Sequence, residues 1–390
     1  MLKAPDANQI LLERGPDGLR EAIDAATTFY YADLTSPDKG EHGPEANRAR
    51  VLSSAEFIEG FVPPDYLIDG IIQRHRIYSN TGVTGCGKTA IMLRLLAQVA
   101  LGKTLGGRDV AQGRCLMLVG ENPDDVRARW IALSEQMGFF PDEIDVHFMP
   151  GIYPLAELIP LLDEKAKELG GIALIAVDTG AAFFDGFDEN DNKQMGDYAR
   201  RLRFLCELPG QPCVIVNTHP TKNASTEHLL PRGGGAFLNE VDGNLCSSKE
   251  GDNMVQMHWQ GKFRGPDFAP IYFELITVTS QSLIDTKGRM LPTVYARPLT
   301  DAESVNCEAR AERDQKKLLV AIAENEGASL ADLAEKLGWR STTGTPLKSK
   351  VHRLLEKLKA QKLAKNELNK WILTPAGQKL AAKVAEETNE

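Results

Sequence analysis

The sequence lacks the marks of secreted, membrane-spanning or metal-laden proteins. Its six cysteines, at 86, 115, 206, 213, 246 and 307, form no CxxC pair and no metal-ligand spacing. That argues against a disulfide framework and predicts reduced, mostly buried thiols. No apolar run approaches the roughly 20 residues needed to cross a bilayer. The opening "MLKAPDANQILLERG" has no apolar signal-peptide core, so a cytoplasmic chain without membrane contact is expected. No internal repeat divides the chain. Nor is there an excess of positive charge. A net charge of −9 excludes a polycation that coats nucleic acid along its whole length.

What is present is ordinary globular composition over 390 residues, enough for two or three domains and a large core. Residues 1–54 are polar and turn-rich, and read as a leader that is helical in part, around Leu19 to Tyr31. From 55 to 300 the texture changes. The short apolar runs "HRIYSN", "CLMLVG", "DVHFMP", "IALIAVD" and "CVIVNTH" alternate with amphipathic stretches at Lys88–Leu101, Pro123–Gln136, Leu155–Leu169 and Lys193–Leu208. Such alternation predicts an α/β fold with a covered, mostly parallel sheet. After Thr221 the pattern turns to antiparallel hairpins, with "DTKG" as one turn.

Residues 301–312 read as a linker, and 313–390 as a small α+β domain. Three helices, at Asp314–Glu324, Ser329–Lys336 and Pro346–Ala360, precede a hairpin made of "KLAKNEL" and "KWILT". A closing helix begins at Pro375 with Thr374 as its cap. That order is the one expected of a winged helix-turn-helix. From Ala311 onward, 15 Lys+Arg against 11 Asp+Glu leave +4, whereas the rest of the chain carries −13.

The strongest chemical signal is "GVTGCGKT". It runs Gly82, Val83, Thr84, Gly85, Cys86, Gly87, Lys88, Thr89, with Ala90 next in the helix. It follows a strand and opens a helix, as a phosphate-binding P-loop requires. The backbone N–H groups and the helix N-terminus suit phosphate oxygens. Lys88 neutralises the β and γ phosphates, and the Thr89 hydroxyl suits Mg²⁺. ATP and Mg²⁺ are therefore the expected ligands.

A second metal-side acid is expected at Asp178, which ends "IALIAVD". Many P-loop ATPases carry a Glu directly after that Asp. Here Thr179, Gly180 and Ala181 follow, so a base must come from another strand end. Glu121 ends the next strand after the P-loop helix and is the candidate catalytic base. Asp124 and Asp125 then fall in the first turn of a helix, where acids suit the dipole. His219, with Asn217 and Thr218, tips a strand expected beside Asp178 and is a candidate γ-phosphate sensor. The acidic stretch "FDGFDENDNKQ" reads as a loop rather than a second metal site.

Together these motifs resemble the RecA-fold ATPases, and among them the RepA-type hexameric helicases of plasmids and related phage ATPases. The likeness covers about residues 55 to 300. "GENPDDVRARW" resembles the family's glutamate motif, and "LPRGGGAFLNEVDGNL" its Arg-Gly loop. "GKFRGP" resembles the Lys-x-Arg motif that reaches a neighbouring subunit's ATP. The resemblance implies a homo-oligomer, a hexameric ring or filament, that acts on single-stranded DNA. It implies that Lys262 and Arg264, with Arg232, act in trans. Lys262 and Arg264 would share one face of a strand. The run Gly233–Gly235 behind Arg232 would form a flexible pore loop.

The basic end adds a second contact. Lys348, Lys350, Arg353, Lys357 and Lys362 are candidate DNA-binding residues, since lysines neutralise phosphates without reading sequence. Trp339 and Trp371 are expected in that domain's core. The reading is an ATP-hydrolysing, DNA-associated motor, a replicative helicase of a mobile element. Two alternatives stay open: an ATP-dependent DNA-binding regulator or loader, and a nucleotide-switched assembly factor, neither of which unwinds DNA.

Overall fold

The structure is a computed structural model. It describes residues 18, 51–61, 63, 65–221, 224, 228–250, 253–341, 344–367 and 370–389. The chain divides into two units, Met1–Pro63 and Pro64–Glu390. In the first, helix α1 (Ser54–Ile58) starts at a capping box in which Ser53 and Glu56 satisfy each other's backbone N–H. The remainder of the expected leader lies outside the described residues, except Gly18 and 51–53.

The second unit is built on a nine-stranded sheet. A small hairpin of β1 (Tyr66–Ile68) and β2 (Ile72–Gln73) precedes it. The sheet strands are β3 (Ile77–Thr81), β4 (Cys115–Val119), β5 (Val146–Pro150), β6 (Leu174–Asp178), β7 (Cys213–Thr218), β8 (Gly243–Lys249), β9 (Met254–Phe263), β10 (Ile271–Ile284) and β11 (Met290–Pro298). Their spatial order is β11-β10-β9-β8-β3-β7-β6-β4-β5. The strands from β8 to β5 in that order run parallel. The outer three continue antiparallel. The fold is thus an α/β, RecA-like P-loop core with a parallel half and a hairpin half.

The parallel strands form because their apolar runs are buried on both faces. Helices α2 (Lys88–Leu101) and α3 (Pro123–Met137) bury Leu93, Leu96, Val126 and Trp130 in a core shared with β10 and β11. Helices α4 (Leu155–Leu169) and α5 (Asn192–Arg203) bury Leu158, Leu162, Tyr198 and Leu202 on the other side. All six cysteines are free thiols and five are buried.

Strand β8 was not expected. Its sequence "GNLCSSK" is small and polar, with no apolar alternation. Its buried polar groups are satisfied instead: Asn244 Oδ1 accepts from Ser79 Oγ at 2.8 Å and Thr81 Oγ1 at 2.6 Å. The run Gly233–Gly235 also differs from expectation. It opens helix α6 (Gly234–Glu240) rather than forming a pore loop. Gly233 has φ +89°, and a Cβ there would sit 2.4 Å from Met195 Cγ. Close packing on α5 explains that glycine.

The expected linker at 301–312 is helical. It forms the first half of α7 (Asp301–Glu324), which opens on a Thr300–Glu303 capping box. Glu303 also accepts from Arg297 at 2.9 Å, and Glu308 from the Tyr272 hydroxyl at 3.1 Å, so the core fixes this stretch. Helices α8 (Leu330–Lys336) and α9 (Lys348–Ala360), hairpin β12 (Ala364–Glu367) with β13 (Lys370–Leu373), and α10 (Pro375–Asn389) complete a small α+β lobe. Its own core includes Leu319, Ile322, Leu355, Trp339 and Trp371.

Candidate active site

The parallel strands deliver their C-terminal ends to one edge of the sheet. Thr81 of β3 pairs with Thr218 of β7, and Val119 of β4 with Asp178 of β6. The P-loop therefore starts at the same level as Asp178, and Glu121 and His219 lie just past it. These groups line one cleft of about 380 Å³ with Thr84, Gly85, Gly87 and Ala90. Gly82, Val83 and Cys86 complete the loop.

Lys88 is buried, and its ammonium donates to two loop carbonyls, Gly82 O at 2.7 Å and Val83 O at 3.2 Å. Burial pulls its pKa down, while Cys86, Asp178 and Glu121 oppose the shift. Among the described residues no carboxylate is hydrogen-bonded to it, so a phosphate need displace only neutral acceptors.

Asp178 is 3% exposed. Its carboxylate accepts from Thr89 Oγ1 at 2.8 Å and Asn217 Nδ2 at 2.9 Å. Burial raises its pKa, and these two hydrogen bonds counter the rise. Behind it a polar chain continues. Asn80 Nδ2 donates to Asn217 Oδ1, and Ser247 Oγ donates to Asn80 Oδ1, each at 2.8 Å. One hydroxyl and one carboxylate in contact fit a Mg²⁺ ion that takes its other ligands from phosphate and water. Among the described residues no cluster of three or more His, Cys, Asp or Glu could hold a metal alone. That is the donor set expected for a metal carried in with a nucleotide.

Glu121 is held from the position that lacks an acid. The Thr179 hydroxyl, directly after Asp178, donates to Glu121 Oε1 at 2.7 Å. Gly120 makes the approach possible. Its N–H donates to Asp178 O at 2.7 Å, and a Cβ there would sit 2.5 Å from Ala182 Cβ. Asn122 then caps α3 from a left-handed backbone, accepting from Asp125 N at 3.2 Å. Asp124 and Asp125 pair with Arg127 and Arg129 on that helix. The three acids of "ENPDD" thus have separate surroundings, and only Glu121 faces the cleft.

His219 lines the same cleft as Glu121. Burial, then the nearby Lys88 charge, lowers its pKa, which favours the neutral ring. Arg232 lies beside it in the same chain. The Arg232 N–H donates to His219 O at 3.0 Å and its guanidinium pairs with Glu189 at 3.2 Å. Lys262 and Arg264 lie elsewhere. Both flank Asp242, which pairs with Arg264 at 2.9 Å and accepts from the N–H of Ile77, the first residue of β3. They are at the opposite end of β3 from the P-loop, roughly 15 Å away along five strand residues. They cannot reach this chain's own phosphates.

Sequence reasoning missed Thr179 as the Glu121 anchor, Asn80 and Ser247 behind Asp178, and Arg129, Lys249 and Asn253 on the cleft wall. Arg129 sits within the quoted glutamate motif but was given no role; the others lack a local motif, and the fold brings them in. The candidate DNA-binding residues divide. Lys348 and Lys362 are exposed. Lys350 pairs with Asp314 at 2.6 Å and lies 4.2 Å from the Trp339 ring centre. Lys357 pairs with Glu250 of the core, and Arg353 lines the cavity between them.

Fold and site together define a P-loop ATPase core of the RecA-like class. A protein-family profile described as an AAA domain matches residues 44–225. Among solved structures the chain is similar to the "ATPase Domain of G40P", at 13% identity and a TM-score of 0.42, covering 65% of this chain and 95% of that one. No curated protein matches the sequence. Among the described residues no helix is long and apolar enough to cross a membrane.

Proposed function

We propose that the protein is an ATP-hydrolysing, DNA-associated motor, a RepA-like replicative helicase of a mobile element, acting on single-stranded DNA in the cytoplasm. The observation that carries the ATPase part is the pair of strand ends Val119–Glu121 and Asp178–Thr179. They bring Asp178, in contact with Thr89, close to Glu121, in contact with Thr179, which supports reading them as metal-side acid and base. In this mechanism the P-loop amides and Lys88 hold the phosphates. Thr89 and Asp178 would hold Mg²⁺, which would supply positive charge against the phosphates. Glu121, oriented by Thr179, accepts the proton of the attacking water. Neutral His219 hydrogen-bonds the γ-phosphate side.

Oligomerisation is part of the reading. Lys262 and Arg264 lie too far from their own cleft, which supports their use against a neighbour's ATP in a ring or filament. The C-terminal lobe, of winged-helix order, would meet DNA through α9. The test measures ATP turnover with and without single-stranded DNA, strand displacement, and the mass of the active species. DNA-stimulated turnover with unwinding by an oligomer is expected. An assembled, hydrolysing protein that never displaces a strand would refute the helicase assignment.

That outcome would favour a second reading, an ATP-dependent DNA-binding regulator or loader. The pairing of Lys357 with the core supports it, because such contacts suit a switch as well as a motor.

A further inference from the structure

We propose that the basic face of α9 is a polyanion site held shut by the ATPase core, and that its opening is transmitted to the ATP cleft through the Lys357–Glu250 ion pair. This rests on the ATPase reading above and adds regulation to it.

Lys350, Arg353 and Lys357 follow helical spacing and share one face of α9. A face built for phosphate should look outward. Here it looks into a cavity of about 550 Å³ between α9, α7 and the end of the sheet. Lys357 is paired with Glu250, whose side chain is 11% exposed, and Lys350 with Asp314. Of the five candidate cations only Lys348 and Lys362 are exposed. A phosphate can engage Lys357 only by displacing Glu250, so core and polyanion compete for that cation.

Glu250 also connects to the cleft. It follows Lys249, the last residue of β8, and successive side chains along a strand point to opposite faces. Lys249 lines the ATP cleft and Glu250 meets the lobe. The returning strand brings Asn253 to the same cleft. Glu250 N donates to Met254 O at 2.9 Å, and Leu275 N, from the cleft wall, donates to Asn253 O at 2.7 Å. Holding Glu250 therefore holds Lys249 and Asn253 against the nucleotide. Opening the lobe frees them. Polyanion binding and tight ATP binding then oppose each other, and the opposition is reciprocal.

The test uses the full chain, a short labelled duplex DNA and a fluorescent ATP analogue. Glu250→Gln and Lys357→Gln both break the pair, so both should raise the KM for ATP, and the Kd of the analogue, by roughly threefold or more. Their duplex affinities should move in opposite directions. Glu250→Gln removes the competitor and tightens binding, whereas Lys357→Gln removes a phosphate partner and weakens it. The exchange Glu250→Lys with Lys357→Glu should restore the wild-type KM. Wild-type KM and wild-type duplex affinity in Glu250→Gln would overturn the proposal, as would no duplex binding by either wild type or Glu250→Gln. If the wild type hydrolyses no ATP, the ATPase reading falls, and the analogue Kd still decides the latch.

Discussion

Two regions of this protein hold lysines below the surface, and they hold them differently. In the cleft, Lys88 is satisfied by the carbonyl oxygens of Gly82 and Val83. In the C-terminal lobe, Lys350 and Lys357 are satisfied by the carboxylates of Asp314 and Glu250. A carbonyl carries no net charge, so an incoming phosphate gains the full attraction of Lys88. A carboxylate must be displaced first. The cleft is built to accept an anion at once, and the lobe to accept one only on exchange.

The sharpest test of that contrast is turnover. Lys88→Ala should reduce the steady-state ATPase rate by about 10²–10³-fold or more. Glu121→Gln should cut turnover by a similar factor while leaving nucleotide binding intact, as filter binding or analogue fluorescence would report. Thr179→Val keeps the acid and loses only its anchor, so a drop of roughly tenfold is expected. Turnover unchanged in Glu121→Gln would remove Glu121 as the base.

Stability gives the next contrast. Asn217→Leu leaves Asp178 and Asn80 short of partners inside the sheet, where both are buried. A loss of about 2–3 kcal/mol is expected in urea unfolding. Lys350→Ala leaves Asp314 largely buried without its cation and strips the Trp339 face. It should destabilise by about 1–2 kcal/mol. Lys88→Ala, by contrast, removes a desolvated charge to which, among the described residues, no carboxylate is hydrogen-bonded. Its melting temperature should hold or rise, and a clear fall would break the comparison.

The smallest effect concerns Asp178. Its folded pKa is raised, chiefly by burial. Above its unfolded value the folded chain holds this proton more tightly than the unfolded chain. Stability from this group therefore falls as pH rises from about 4 through the folded value. Asp178→Asn carries no charge and still accepts from Asn217, while the Thr89 hydroxyl must turn to accept from the new amide. It should lose that part of the pH slope and gain ~1 kcal/mol near neutral pH, at the cost of Mg²⁺-dependent turnover. Thermal melts across pH 4 to 8, in buffers without nucleotide, would measure it.

Much of the core was legible because burial on both faces leaves continuous apolar runs, as in β4, β6 and β7. The P-loop was legible because its backbone geometry demands particular residues at fixed spacing. Strand β8 was hidden because it buries Asn244 and Ser247 among polar partners 165 and 167 residues away. Thr179 read as an empty position, since its function is a hydrogen bond to a different strand. The helical character of 301–312 could have been found: Thr300 and Glu303 form a capping-box pattern, and Ala, Glu and Arg after it favour helix. The Lys357–Glu250 pair had no local signal at all, being 107 residues apart in sequence.

One contact carries further than catalysis. Gly120 N–H bonds to the Asp178 carbonyl, and Thr179 bonds to Glu121. Asp178 and Glu121, the proposed metal-side acid and base, are thereby stitched together at two points. Nothing can retract one without dragging the other. If nucleotide turnover moves this edge of the sheet, the two strand ends should move together against the P-loop, so a label on either would report both.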